Sequence, residues 1–526
     1  MKKVKRNLMA TRFLRAPASW LALLVLLAQP GSSAGSGLAQ QPAVADAIVV
    51  LDLWIEEQMT HQALPGLALG VVYEDQLVWA KGYGYADLES RSPVTPETLF
   101  RIGSITKLFT STAILQLRDQ GKLHLDDPLV RHLPWFSVES PFENTVPITL
   151  RHLLTHTSGL PREAAIPYWT SHIFPAPEEL RRVVPTQRAV YPPETQYKYS
   201  NLGMALLGEV VARVSGMPYQ EYVSEQIFRP LDMEDSTVSP SPEHHGRMVT
   251  AYRRQQPDGG RGVFAYYDTA GLASAANIVS SVGDLARFAA LHLVGAGRAD
   301  GAPVVKLSTL REMQRPHWVN SRWSGGRGLG FGLSHRQGKT VVSHGGWVGG
   351  NRSHLLLVPK EKLGVIAMTN ADDGSPSQFS YQVYDALGPA ILSALEAPSP
   401  EGSGVPKPLD SGASHQETAR KAPADWQRYV GKYEDPWGWQ YEVLVLGDRL
   451  AVYEHNYPPE ESSTSSLTRL EPIGEHRFRL PDGESMVFEL DAKGRVERIQ
   501  RRYEYLYPQG LVPPEGQTEP LKIPEP

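Results

Sequence analysis

Apolar residues recur with helical spacing between positions 44 and 60, where Ala45, Ile48, Val49, Leu51, Leu53, Trp54, Ile55 and Met59 predict an amphipathic helix. Pro65-Gly66 breaks it, and two apolar runs, 67–73 and 77–83, flank the polar turn Glu74-Asp75-Gln76 as a strand hairpin. A loop then leads to Ser104, from which apolar positions with helical period continue to Gly121. A short helix is expected over 148–159, with Thr149 as N-cap and Gly159 as stop, and further helices over 202–214, 219–228 and 284–293. From Gly328 the period changes to that of strands, at 330–333, 340–344, 354–358 and 363–370, before a closing helix over 382–395. Strands at both ends with a mostly helical insert between them predict an α+β fold in which the terminal segments build one antiparallel sheet.

Three further segments divide the chain. Lys2, Lys3, Lys5, Arg6, Arg12 and Arg15 precede the apolar run 20–28 and then small residues, so 1–39 has the pattern of a secretory signal, with an uncleaved anchor as the alternative. The apolar run is short for a membrane span, and no later segment is long and apolar enough for one. Export to the periplasm or the outside is the expectation. After the main unit, 40–396, the Pro-, Gly- and Ser-rich stretch 397–424 reads as a linker. Short alternating runs separated by Gly-Asp, Asp-Gly and Lys-Gly turns make 425–507 a small antiparallel barrel-like unit, and 508–526 a Pro- and Glu-rich tail.

Composition narrows the chemistry. The 526 residues carry a net charge of −5, which disfavours a nucleic-acid binder. There is no cysteine, which excludes disulfides, thiolate metal sites and a thiol nucleophile. No metal or cofactor is called for, and nothing in the pattern reports oligomeric state.

Three motifs carry reactive side chains. Ser104 and Lys107 stand three apart at a helix start, so they share a face, and a lysine with a lowered pKa can take a serine's proton. Alone, the pair reads more readily as a cap with a solvated lysine. Tyr199 and Asn201 flank Ser200 before an apolar helix; a tyrosine of lowered pKa can act as a base, and an asparagine can orient a lysine or a substrate amide. Ser343-His-Gly-Gly-Trp347 ends a strand run, where Gly345 and Gly346 admit close approach of a substrate and the N–H of Trp347 can pair with that of Ser104 as an oxyanion hole. His152 and His156 lack the glutamate of a zinc motif, and Gly31-Ser-Ser-Ala-Gly35 lies in the signal's cleavage zone.

In this order the motifs resemble those of the penicillin-recognising serine hydrolases, nearest the class C β-lactamase, DD-peptidase and esterase branch. Phe100-Arg-Ile-Gly-Ser104, Leu150–Leu160 and Gly271–Phe288 look like segments of the same family, and the likeness covers 44–395. It implies a β-lactamase-like catalytic fold and a serine hydrolase working through an acyl-enzyme. Ser104 would be the nucleophile, Lys107 its proton acceptor and Tyr199 the shuttle to the leaving group. Asn201 would position lysine and substrate, while His344, Gly345, Gly346 and Trp347 would line the substrate strand. The C-terminal unit looks like the lipocalin-like barrels appended to such hydrolases. His344 replaces the lysine usual in that motif, and one cation fewer leans the expectation toward esters or D-amino-acid peptides and amides. A β-lactamase or DD-carboxypeptidase is the alternative, with Arg352 able to restore a carboxylate contact. A non-catalytic sensor of cell-wall fragments is the reading from another class.

Overall fold

The computed structural model describes residues 37–164, 166, 168–257, 259–295, 303–396, 422–434, 440–455, 466–481, 485–501 and 504–511. The expected signal core, most of the linker and most of the tail lie outside them. Among the described residues no helix is long and apolar enough to cross a membrane.

Strands β1 (Gly66–Tyr73), β2 (Gln76–Asp87) and β3 (Ser92–Pro93) come from the start of the chain. Strands β4 (Trp318–Val319), β5 (Gly325–Arg327), β6 (Gly332–Arg336), β7 (Lys339–Val348), β8 (Asn351–Val358) and β9 (Leu363–Thr369) come from the end of the catalytic unit. They form one antiparallel sheet of order β3-β2-β1-β9-β8-β7-β6-β5-β4. The terminal segments therefore share a sheet through the β1–β9 pair, in which Leu67 faces Thr369 and Tyr73 faces Leu363.

The alternation along β1 sorts its side chains between two cores. Leu67, Leu69 and Val71 pack under helices α1 (Pro42–His61) and α5 (Pro376–Glu396), whose Trp54 and Phe379 meet edge to face. Ala68 and Val72 face the other way, toward helix α4 (Val282–Val294) and the larger core. Gly70 also lies on that side, where a Cβ would fall 2.5 Å from a Val282 methyl carbon, so the helix sits tight on the strand.

At the centre of the larger core lies α2 (Thr106–Asp119), buried at every position from Thr106 to Leu117. A helix enclosed on all sides has no polar face. Its small hydroxyls are satisfied by other elements: Thr110 Oγ1 donates to Ser274 O at 2.6 Å and lies 2.7 Å from the Tyr219 hydroxyl. Helix α3 (Asn201–Ser215) packs beside it, capped by Ser200, whose Oγ accepts the Gly203 N–H.

Three element boundaries differ from those expected. The helix after Thr149 stops at Leu154, because His156, at a φ of 57°, leaves helical geometry before Gly159 is reached. Helix α5 begins at Pro376, where a proline suits a first turn. Strand β7, expected over 340–344, runs on through Gly345-Gly346 to Val348, and the chain turns at Gly349-Gly350, both of positive φ.

The C-terminal strands β10 (Gly431–Glu434), β11 (Gln440–Leu446), β12 (Arg449–His455), β13 (Leu467–Arg469), β14 (Glu471–Gly474), β15 (Arg477–Arg479), β16 (Ser485–Leu490), β17 (Val496–Arg501) and β18 (Glu504–Pro508) make a second antiparallel sheet. Its order is β13-β12-β11-β10-β18-β17-β16-β15-β14. The two edge strands flank Leu470, so they are one stretch of chain bent at that residue, and the sheet nearly closes into a barrel. Tyr429, Tyr433, Tyr441, Phe478 and Phe488 fill it; Trp437 and Trp439 lie outside the described residues.

The barrel docks on α1. Val50 and Leu53 of the helix pack against Leu444, Leu446, Ala451 and Tyr453. Glu57 accepts the Tyr453 hydroxyl at 2.9 Å and His455 Nδ1–H at 2.6 Å, while His455 Nε2 lies 3.7 Å from Glu442. Burial opposes charge on His455, but the neighbouring carboxylates of Glu442 and Glu57 outweigh it and raise the pKa to about 9. A histidine raised above its free value of ~6.5 contributes stability that is full below that pH and lost as pH rises through the folded value. Wild type should therefore lose thermal stability between pH 6.5 and about 9 relative to His455→Gln. A calorimetric difference between the two that stays constant over that window would contradict the assignment.

Candidate active site

Ser104 lies in the single 3-10 turn Gly103–Ile105 that leads into α2, half-buried at the floor of a cleft. Lys107 is one turn on. Its Nζ donates to Ser104 Oγ at 2.8 Å and to Ala275 O at 2.8 Å. The lysine has no solvent exposure, and burial lowers its pKa to about 7 against a smaller upward pull from Glu163. Near neutral pH much of it is therefore uncharged, and the 2.8 Å contact can reverse, with the serine hydroxyl donating to the amine.

Strand β7 meets the Ser104 turn backbone to backbone. A Cβ on Gly103, whose φ is +51°, would fall 2.5 Å from Trp347 N, and one on Gly346 would fall 2.0 Å from Ile102 O. Ser353 Oγ closes the contact by donating to Ile102 O at 2.8 Å. Only glycine fits at either position, and the close approach brings the Trp347 and Ser104 backbones together, as an oxyanion hole requires.

Tyr199 faces this pair from the loop before α3, with its ring 5.1 Å from Lys107 Nζ and its hydroxyl close enough for Ser104 to lower its pKa. Burial raises its pKa to about 12, more than the nearby Ser104, Arg162 and Arg327 lower it. The lowered pKa expected of a phenolate base is absent here. In the resting site Tyr199 is protonated, and Lys107 is the group poised to accept a proton. The amide of Asn201 is turned to Glu163 rather than to Lys107: Nδ2 donates to Glu163 Oε1 at 2.5 Å, and Oδ1 is buried without a partner.

His344 is buried, and burial together with the Lys107 charge lowers its pKa to about 3. Its Nδ1–H donates to Gly345 O at 2.7 Å, which leaves Nε2 as an unprotonated acceptor. The strand thus supplies no cation at this position. Arg162, Arg327 and Arg352 do so instead, lining the same cleft of about 580 Å³. Among the described residues no carboxylate lines it. Arg162 lies 5.0 Å from the Tyr199 ring, and the buried Nε of Arg352 has no partner. Arg162 is itself paired with Glu163 at 3.3 Å, so Arg327 and Arg352 are the cations that offset the uncharged His344.

Sequence reasoning missed Arg162, Arg327 and His156. His156 and His152 do separate jobs. His152 Nε2 pairs with Glu194 at 2.9 Å, whereas His156 Nδ1 accepts the Ser200 N–H at 3.2 Å and its ring lies 4.4 Å from that of Tyr199. His156 O also accepts the Lys198 N–H at 2.7 Å, so one residue pins the chain on both sides of Tyr199. Its positive φ of 57°, rare for a side chain of this size, was not visible from spacing.

A sequence model of the beta-lactamase family matches residues 51–388, which contain every site residue named above. The chain belongs to the beta-lactamase family. It is a serine hydrolase of that family. The D-alanyl-D-alanine-carboxypeptidase/endopeptidase AmpH of Escherichia coli (strain K12) is 29% identical over 341 residues, covering 62% of this chain and 84% of that one. Beta-lactamase-like protein 2 of Dictyostelium discoideum is 26% identical over 414 residues, 76% of this chain and 73% of that one. Among solved structures, the octameric penicillin-binding protein homologue from Pyrococcus abyssi superposes with a TM-score of 0.56 at 25% identity, covering 87% of this chain and 99% of that one.

Proposed function

We propose that this beta-lactamase-family hydrolase forms an acyl-enzyme on Ser104 with D-amino-acid peptides or amides that carry a carboxylate beside the scissile bond. Ser104 Oγ attacks the carbonyl carbon while the Lys107 amine takes its proton, and the oxyanion sits between the Ser104 and Trp347 N–H groups. Collapse breaks the C–N bond, and the departing nitrogen takes a proton through Tyr199. Water then adds to the ester, the same groups take its proton, and the product acid leaves with Ser104 restored. Export, read from the 1–39 pattern, places the enzyme where such peptides are found.

The observation that carries the reading is a fully buried Lys107 at 2.8 Å from Ser104, in a cleft lined by three arginines and no carboxylate. Arg327 and Arg352 favour an anionic substrate, and a hydrogen bond to a charged group is worth about 1.5–3 kcal/mol. Neutral esters are the second reading, favoured by the uncharged His344.

A matched pair separates the two: a peptide ending in D-Ala-D-Ala and its C-terminal amide. The free acid should show kcat/KM about tenfold higher or more. Equal or better turnover of the amide would assign the cleft to neutral substrates.

A further inference from the structure

Trp347 offers the oxyanion hole only its backbone N–H, and its indole is free for another task. That side chain lines the catalytic cleft, and the residue is 38% exposed. It is nonetheless held in place. Its Nε1–H donates to Asp372, just past the end of β9, and its ring lies 5.5 Å from that of Trp169 on the short helix Tyr168–Ser171. Phe174 meets Trp169 edge to face at 5.0 Å and stacks on Tyr267 at 5.4 Å, and both of these outer rings are buried. Rings at such separations attract one another, so the indole is fixed at its nitrogen and backed by a packed aromatic cluster.

The part of the substrate that meets it follows from direction along β7. His344, whose ring lies 6.4 Å from that of Tyr199, marks the end of the segment nearest the proton shuttle. The leaving group belongs at that end, because the residue that gives it a proton must reach its nitrogen. Trp347 stands three residues further on, about 10 Å along the strand, with only Gly345 and Gly346 between. A carbonyl with its oxygen at the Trp347 N–H and its leaving group toward Tyr199 therefore carries its acyl part toward the indole.

We propose that the Trp347 indole, fixed by Asp372 and Trp169, is a stacking platform that selects substrates with an aromatic group on the acyl part. The proposal rests on the acyl-enzyme reading above and names the acyl class, which that reading left open. The bonds made and broken are unchanged, and the indole touches nothing that leaves. The selectivity should therefore persist when the leaving group is exchanged for an unrelated one.

Two substrate pairs test it, each with a common leaving group: N-acetyl-D-Phe-D-Ala against N-acetyl-D-Ala-D-Ala, and p-nitrophenyl phenylacetate against p-nitrophenyl acetate. The quantity measured is the aromatic-to-aliphatic ratio of kcat/KM in wild type, Trp347→Ala, Trp347→Phe and Trp169→Leu. Intrinsic reactivity cancels when wild type is compared with Trp347→Ala, and the wild-type ratio should be about tenfold higher, the scale of one ring stacked on another. Trp347→Phe should keep most of that excess. Trp169→Leu, which removes the backing ring but no oxyanion donor, should lower the ratio by about threefold. A merely structural role would slow both members of a pair together and leave the ratio unmoved. Equal ratios in wild type and Trp347→Ala would overturn the platform. Should Trp347→Ala fail to fold, an unchanged ratio in Trp169→Leu overturns it instead. Fluorophosphonate labelling of Ser104 keeps the readings apart. A labelled wild type without aromatic excess rejects the platform alone, and an unlabelled wild type rejects the acyl-enzyme reading. Excess on the esters with no turnover of either peptide upholds the platform and assigns the cleft to neutral esters.

Discussion

Ser104→Ala is expected to abolish covalent labelling by a fluorophosphonate and to lower hydrolysis by about 10⁴-fold or more, the scale on which other serine hydrolases fail without their nucleophile. Among the described residues, no other hydroxyl is hydrogen-bonded to the Lys107 amine. Ser111 and Thr110 lie on the same helix but are fully buried, and Thr110 Oγ1 is bonded to Ser274 O. Ser343 and Ser353 line the cleft, yet Ser353 Oγ is engaged with Ile102 O and neither has the Lys107 amine beside it. The change should leave the fold intact, because Lys107 keeps its bond to Ala275 O. Intact-mass spectrometry before and after labelling is the measurement. A mass increase that persists in the variant would remove Ser104 from the role of nucleophile, and an unlabelled wild type would favour the non-catalytic sensor.

Lys107→Met is expected to divide activity from stability. Loss of the proton acceptor should lower acylation by about 10²–10⁴-fold. In wild type the reactive form of Lys107 is the neutral amine, so acylation should rise with pH through about 7 and then level. Stability moves the other way. A lysine with a folded pKa of about 7 binds fewer protons when folded than when unfolded, up to its free value of ~10.4. The folded state thus carries its full penalty for a buried ammonium below pH 7 and sheds it as pH rises toward 10.4. Methionine fills the same space without charge, so the variant should melt higher than wild type at pH 6, by a margin that narrows above pH 7. Melting curves at pH 6, 7.5 and 9 check this. A margin independent of pH would mean that Lys107 is not desolvated as described, and unaltered acylation would assign the proton transfer elsewhere.

How much of this site could be read from the chain depends on whether a feature is local. The Ser104–Lys107 spacing places both groups on one side of a turn wherever the helix is docked, and the Ser200 cap and Thr149 cap follow from their own next three residues. That the terminal segments share one sheet was legible too, since the apolar runs at 67–73 and 363–370 are continuous enough to be buried on both faces. The boundaries that were misplaced are those where long-range contact overrides local signals. The strand expected to end at His344 runs on through Gly345-Gly346, because the Ser104 turn lies against Gly346 and leaves no room for a Cβ there.

What the sequence by itself determined is the chemistry available: a serine with a lysine one turn away, a tyrosine and a glycine-bearing strand in a fixed order, and a barrel of short strands. The tertiary structure alone decided the state of those groups. Enclosure of α2 on every side sets the Lys107 pKa, and burial holds Tyr199 protonated and His344 neutral. Arg327 and Arg352 come from separate segments to offset the uncharged His344. Desolvation and Coulomb interaction depend on distance in space, and distances between segments tens to hundreds of residues apart are set by packing, which no spacing along the chain records.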